Sequence, residues 1–248
     1  MNIVSFKFAI SKSLIRYCIL ILLNYFFIVS YAAKPDSAYY EVWELKSLKK
    51  IGGHKVQVFG NPEIVKTELG RTIKFDGIDD RLMVDNNPLG EAKEFTIEVI
   101  FKPDHAYDIS NKPRFIHFQD PADTLSGWPL ARRIMIELRL TPKNEWYLDG
   151  YLMTDAGELT LVNKTLTHPI GEWSHAAVTY KDNTFKTYVN GIQETSGIIS
   201  FNEKLLNKVG KVSIGGRMNR LNYYSGLIKT LKITRKALEP QQFIQINK

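Results

Sequence analysis

The chain has 248 residues, with 33 Lys and Arg against 26 Asp and Glu for a formal charge of +7, 12% aromatic side chains and a single cysteine. The basic residues are dispersed, and the longest cluster, 46–55, is interrupted by Leu48, Ile51 and Gly52-Gly53, so composition excludes a nucleic-acid-binding tail and leaves a weak, screened attraction for acidic partners. One cysteine excludes a disulfide framework, and no paired Cys or His spacing offers a zinc site.

Residues 1–33 contain no acidic side chain; Lys7, Lys12 and Arg16 precede an apolar run over 17–29 that only Asn24 interrupts. This order predicts a signal peptide over residues 1–32, with Ser30 and Ala32 as the small residues before cleavage and a secreted or periplasmic destination. An uncleaved signal anchor is the alternative, and it would be the chain's one contact with a membrane. Cys18 lies inside the run, which argues against a lipoprotein anchor. Removing 32 of the 248 residues leaves 216, and the charge falls by three to +4. That length suits one sizeable all-β domain, here expected over 39–246.

From residue 39 onward the apolar positions alternate with period two, and each run ends in Gly, Asn, Asp or Pro. Strands are expected at 39–45, 56–59, 73–75, 81–84, 95–101, 114–119, 133–140, 145–153, 159–162, 173–180, 185–189, 211–214 and 227–233. Many short strands punctuated by turns predict two antiparallel sheets packed face to face as a jelly roll. In 95–101 the stripe Phe95, Ile97, Val99 and Phe101 belongs to the core, with Thr96 and Glu98 on the other face. Only 237–246 reads as a short helix, with Pro240 tolerable in its first turn.

Along 133–140, Ile134, Ile136, Leu138 and Leu140 form an apolar stripe that drives Arg133, Met135, Glu137 and Arg139 to the opposite face. Arg114, His117 and Tyr147, with Asp149 or His175, are the neighbours expected to join them. Guanidinium groups bind carboxylate or sulfate through paired hydrogen bonds and aromatic rings stack on sugars, so the face suits a carbohydrate or acidic polysaccharide. The alternative is a row of cross-strand salt bridges on a solvated sheet.

Three acids at alternate positions of one strand would mark a glycosidase site of the kind built on such sheets. None is present: Glu98 is followed by Ile100 and Lys102, Glu137 by Arg139, and Asp149 by Tyr151. There is no Gly-x-Ser-x-Gly elbow and no Gly-rich phosphate loop. Asp76, Asp79 and Asp80 form the one acidic cluster able to hold calcium, and a turn capped by Asp76 is the competing reading. Trp173 is expected in the core with His175 packed beside it; Trp128 is expected in its loop, either exposed or plugging the sandwich edge.

Five phrases occur in order: Phe75-Asp76-Gly77-Ile78-Asp79-Asp80, Phe95-Thr96-Ile97-Glu98-Val99, Trp173-Ser174-His175-Ala176-Ala177-Val178-Thr179-Tyr180, Tyr188-Val189-Asn190-Gly191 and Ser225-Gly226-Leu227-Ile228. Together they resemble the bacterial laminin-G-like jelly rolls of the concanavalin A-like lectin/glucanase superfamily. The resemblance implies a non-catalytic module that binds carbohydrate or a surface polymer. A polysaccharide-cleaving enzyme on the same face and an adhesion module contacting a cell-surface protein are the other roles that fold supports. Lys229 and Thr230 stand where relatives usually carry an acidic pair, so no metal site is carried over.

Overall fold

The computed structural model describes residues 40–104, 112–121, 132–202, 204–206 and 209–246. The expected signal peptide and Trp128 lie outside them.

Two antiparallel sheets form a sandwich, as the period-two pattern requires. The first runs β15 (Ile192–Ile198), β14 (Thr184–Val189), β13 (Ser174–Lys181), β7 (Phe95–Pro103), β17 (Ser225–Thr234), β5 (Gly70–Asp76) and β4 (Glu63–Thr67), with β1 (Tyr40–Glu44) also on β17. The second runs β11 (Glu158–Val162), β10 (Glu145–Met153), β9 (Arg133–Leu140), β8 (Arg114–Gln119), β16 (Lys211–Ile214), β6 (Arg81–Val84), β3 (His54–Phe59) and β2 (Lys50–Ile51), with β12 (His168–Pro169) on β10.

Side chains from both inner faces make one core. Phe95, Ile97, Val99 and Phe101 are all buried in it, as are Ile134, Ile136 and Leu138. Phe101 of the first sheet meets Phe115 and Trp146 of the second at ring-centroid distances of 4.7 and 5.2 Å. Each large apolar side chain so buried contributes about 1.5–3 kcal/mol. Gly150 of β10 sits where a Cβ would lie 2.6 Å from Thr187 Cγ2 of β14, so the facing sheets approach closely behind the strand that carries Asp149.

A bulge at Lys229 divides β17: residues before it pair with β5, and Thr230–Thr234 pair with β1. Lys229 and Thr230, the two departures from the family pattern, both bind the Glu44 carboxylate, at 3.0 and 3.1 Å.

The helix expected over 237–246 is not formed; its place is taken by an extended strap with a single 3-10 turn at Pro240–Gln242. The strap crosses the outer face of the first sheet, where polar β7 side chains accept its amides: Leu238 N–H donates to Thr96 Oγ1 (2.8 Å) and Ile244 N–H to Glu98 Oε2 (2.6 Å). Its apolar anchor is Phe243, packed with Tyr188 and Ala177. Acceptors supplied by the sheet replace those of a helix, and one buried anchor is too little for an amphipathic face.

Trp173 is also corrected. It lies outside the core, half-buried, with Nε1 donating to Glu68 Oε1 at 2.7 Å. His175 is buried, with its ring against Phe243 and Nε2 3.2 Å from Glu98 Oε2. It sits on the first sheet, so it cannot join the polar face of β9.

Candidate functional site

The polar group lies on the face of the second sheet turned away from the core. Alternation alone sends Arg133, Met135, Glu137 and Arg139 of β9 there, and Tyr147, Asp149 and Tyr151 of β10. On β8 the two candidates are three residues apart, which in a regular strand would put them on opposite faces. A register shift between Arg114 and Ile116 resolves this: Phe115 and Ile116 both enter the core, and Arg114 and His117 both face out. The pairing then sets Arg114 beside Glu137, Glu137 beside Asp149, Arg139 beside Tyr147, and His117 beside Met135. All six expected residues therefore share one face, with Tyr147 at its margin.

Two charge pairs occupy its middle. Arg114 Nε donates to Glu137 Oε1 at 2.6 Å, and Arg139 Nε donates to Asp149 Oδ2 at 2.6 Å. Arg139 Nη2 also approaches Glu137 Oε2, at 3.9 Å. These are the cross-strand salt bridges of the alternative reading, with Glu137 between two arginines, but the acids are buried rather than solvated, Glu137 and Asp149 being only 2% and 1% exposed. Burial pushes both carboxyls above their usual range and each arginine pulls the other way; the charge of Asp149 adds to the rise at Glu137.

His117 is buried at 1% exposure, and its Nδ1 accepts the Met218 N–H at 3.3 Å. A backbone amide can only donate, so the neutral ring carries its proton on Nε2. Burial, and then the charges of Arg217, Arg133, Arg114 and Arg81, hold its pKa down at about 3.

Arg133 Nη2 donates to Tyr151 Oη at 3.1 Å, and the Tyr151 hydroxyl in turn donates to Glu158. Arg81 anchors the turn after β16 by donating from Nη1 to the carbonyls of Arg217 (3.0 Å) and Met218 (2.7 Å), with its guanidinium over Phe59. Arg217 itself loses basicity through burial and the charges of Arg114 and Arg133, with the Glu137 carboxylate pulling the other way.

Among the described residues, five buried polar atoms here lack a hydrogen-bond partner: the donors Arg114 Nη1, Arg133 Nε and His117 Nε2, and the acceptors Glu137 Oε2 and Asp149 Oδ1. A buried polar atom left unpaired costs about 1–3 kcal/mol, and five of them lie on this one face. Sequence reading passed over Arg81, Tyr151 and Arg217. Strand alternation could have found the first two, whereas Arg217 comes from a turn whose path alternation does not describe.

The acidic cluster reads differently. Carboxylate oxygens of Asp76, Asp79 and Asp80 come within 4.8 Å of one another. Asp76 Oδ1, however, accepts the amides of Ile78, Asp79 and Asp80 at 2.8, 3.2 and 3.3 Å. Asp80 accepts those of Asn61 and Asp76 at 2.6 and 2.9 Å. The acids close the turn through backbone hydrogen bonds, which supports the capping reading over calcium.

Residues 76–243 match the laminin-G family model of the concanavalin A-like lectin/glucanases superfamily. No curated protein matches the chain. Among solved structures, domain 4 of AbnA, an extracellular GH43 arabinanase from Geobacillus stearothermophilus in complex with arabinotriose, aligns at TM-score 0.53 and 15% identity over 82% of this chain and 97% of that one. The receptor-binding domain of botulinum neurotoxin C/D mosaic serotype aligns at TM-score 0.56 and 14% identity over 81% of this chain and 48% of that one. The binding domain of Paraclostridial Mosquitocidal Protein 1 gives TM-score 0.56 and 16% identity over 82% and 50%. The chain thus spans nearly all of the arabinanase domain but only about half of each toxin fragment, and at such identities the likeness concerns the fold.

Proposed function

Because the chain belongs to the laminin-G branch of the concanavalin A-like lectin/glucanase superfamily, we propose that it is an exported module that binds carbohydrate or another surface polymer without cleaving it. The binding surface is the outer face of β8, β9 and β10, with Arg114, His117, Arg133, Glu137, Arg139 and Tyr147 as contact residues. The observation that carries this reading is the group of five unpartnered buried polar atoms on that face. A saccharide presents hydroxyls that both donate and accept, and so complements a site that offers free donors beside free carboxylate oxygens. The arabinotriose bound by the arabinanase domain supports the class of ligand for this fold. A glycan array probed with the wild type and with Arg139→Gln tests the reading. Binding that the variant loses is expected; binding unchanged by it removes this face.

One observation favours a second reading, polysaccharide cleavage. Glu137 and Asp149 are neighbouring buried carboxyls, both held above their usual range, which is how acid and base groups are prepared in hydrolases and lyases. Release of reducing or unsaturated ends from a polysaccharide panel, abolished in Glu137→Gln, would establish it in place of simple binding.

A further inference from the structure

The charges on this face are unevenly matched. Arg114 and Arg139 are neutralised by Glu137 and Asp149. Arg133 and Arg217 make no ion pair among the described residues, although the charge of each lowers the basicity of His117 and that of Arg133 lowers the basicity of Arg217. Arg81 adds a third positive charge from β6, committed through its Nη1 to two carbonyls. Bringing guanidinium groups together at a mostly buried place costs free energy unless an anion joins them.

The orphan donors point to the same end. Arg133 Nε and Arg114 Nη1 are buried N–H groups with no acceptor, and His117 presents Nε2–H, since Nδ1 is occupied by the Met218 amide. Three free donors, none of them able to accept, thus lie on the face that carries the two arginines without an ion pair among the described residues. The free acceptors, Glu137 Oε2 and Asp149 Oδ1, belong to the neutralised half.

We propose that His117, Arg133 and Arg217, with the free Nη1 of Arg114, form an anion subsite that takes the carboxylate or sulfate group of an acidic polysaccharide, while Glu137 and Asp149 take hydroxyls of the adjoining sugar. This rests on the carbohydrate-binding reading above and narrows it to charged chains. A carboxylate and a sulfate both present oxygens spaced for two guanidinium N–H groups, and the imidazole Nε2–H supplies a further neutral donor.

Isothermal titration of the protein with trigalacturonate, a heparin-derived tetrasaccharide and neutral arabinotriose tests the subsite and separates carboxylate from sulfate as its occupant. The acidic probes are expected to bind, more weakly as salt rises, and Arg133→Gln or Arg217→Gln should each weaken them about tenfold or more, the size of one lost charge-assisted contact. Circular dichroism shows which variants keep the fold, and either one suffices. Arabinotriose bound as tightly as the acidic probes, or acidic binding untouched by both variants, would overturn the subsite and leave the carbohydrate-binding reading standing. A parallel thermal series with sodium sulfate against sodium chloride at equal ionic strength is independent of sugars. If no saccharide binds but sulfate raises the wild-type Tm more than that of the variants, the carbohydrate reading fails and the anion subsite holds. If sulfate and chloride act alike and no acidic probe binds, the subsite is refuted.

Discussion

Glu137 and Asp149 stand directly opposite each other on β9 and β10, and each gives one carboxylate oxygen to an arginine while its other oxygen has no hydrogen-bond partner among the described residues. Two buried like charges in register repel, so their coexistence depends on Arg114 and Arg139 flanking them. Removing one acid therefore does not simply relieve repulsion; it strands a guanidinium. Arg114 has a side chain only 10% exposed. Glu137→Ala should destabilise the fold by about 3–5 kcal/mol, whereas Glu137→Gln, which keeps an acceptor for Arg114, should cost clearly less. Urea denaturation of both variants measures the difference. A cost below about 1 kcal/mol for Glu137→Ala would mean that the pair behaves as an exposed bridge.

His117 makes stability depend on pH with a definite sign. Its folded pKa, about 3, lies below the ordinary value of 6.5, so the unfolded chain binds a proton that the folded one refuses. Stability from this group is complete above about 6.5 and is lost as pH falls from there toward 3. The shift corresponds to a loss on the order of 4–5 kcal/mol across the window. Glu137 and Asp149 act oppositely: their carboxyls are raised, so they favour the folded state at low pH and lose that contribution as pH rises through their folded values. Thermal melts of wild type and His117→Gln between pH 4 and pH 7 isolate the histidine. The variant is expected to show the flatter acid limb, and identical slopes would disprove the buried neutral assignment.

How much of this was legible in the chain depends on which force set each feature. Ile134, Ile136 and Leu138 alternate cleanly because one face of β9 is dry, and that alternation places Arg133, Glu137 and Arg139 together on the other. The bulge that brings Arg114 round to His117 has no such mark, since Phe115 and Ile116 are equally apolar and either could have faced the core alone. Edge strands were missed for a related reason: in β15, Ile192 and Ile198 are exposed at 72% and 73%, so no buried stripe writes a period into that segment. The strap was misread as helix because its hydrogen-bond partners, Thr96 and Glu98, lie about 140 residues earlier in the chain. Local propensity contains nothing of such distant acceptors.

Gly150 connects sheet packing to the site. A methyl group there would fall 2.6 Å from Thr187 Cγ2 and 3.3 Å from Phe185 Cε1, both on the facing sheet. Gly150→Ala should therefore push β10 outward and cost about 1–3 kcal/mol. Asp149 and Tyr151 flank the glycine, so the saccharide binding proposed for this face should weaken as well. Pairing this variant with Thr187→Ser, which removes the obstructing methyl, should restore much of the stability in a double-mutant cycle; no recovery would locate the strain elsewhere.

The Asp76 turn separates capping from cation binding. Asn keeps the Oδ1 that accepts the amides of Ile78, Asp79 and Asp80, and Ala does not. Asp76→Asn should lie within about 0.5 kcal/mol of wild type and Asp76→Ala should lose about 1–2 kcal/mol, with Tm the same in calcium and in chelator for all three. A calcium-dependent rise in Tm that vanishes in Asp76→Asn would show instead that the turn holds the ion.

Besides Thr96, the strap is held by the apolar anchor Phe243 and the buried acid Glu98, and these two make distinct predictions. Phe243 is 4% exposed and packs edge-on against Tyr188 at 5.2 Å, so Phe243→Ala should cost about 3 kcal/mol and loosen the strap. Glu98 is fully buried. Burial pushes its carboxyl up, but hydrogen bonds from His175, Lys232 and the Ile244 amide outweigh that and hold it below the ordinary value of 4.5. Its contribution is present above that value and is lost as pH falls through the lower folded one. Hydrogen exchange at the Leu238 and Ile244 amides reads both effects. Glu98→Gln should accelerate Ile244 by removing its charged acceptor while Leu238, bound to Thr96, stays protected, whereas Phe243→Ala should accelerate both. Equal acceleration of the two amides in Glu98→Gln would mean that the strap opens as one unit and that the carboxylate holds its whole length, not just its end.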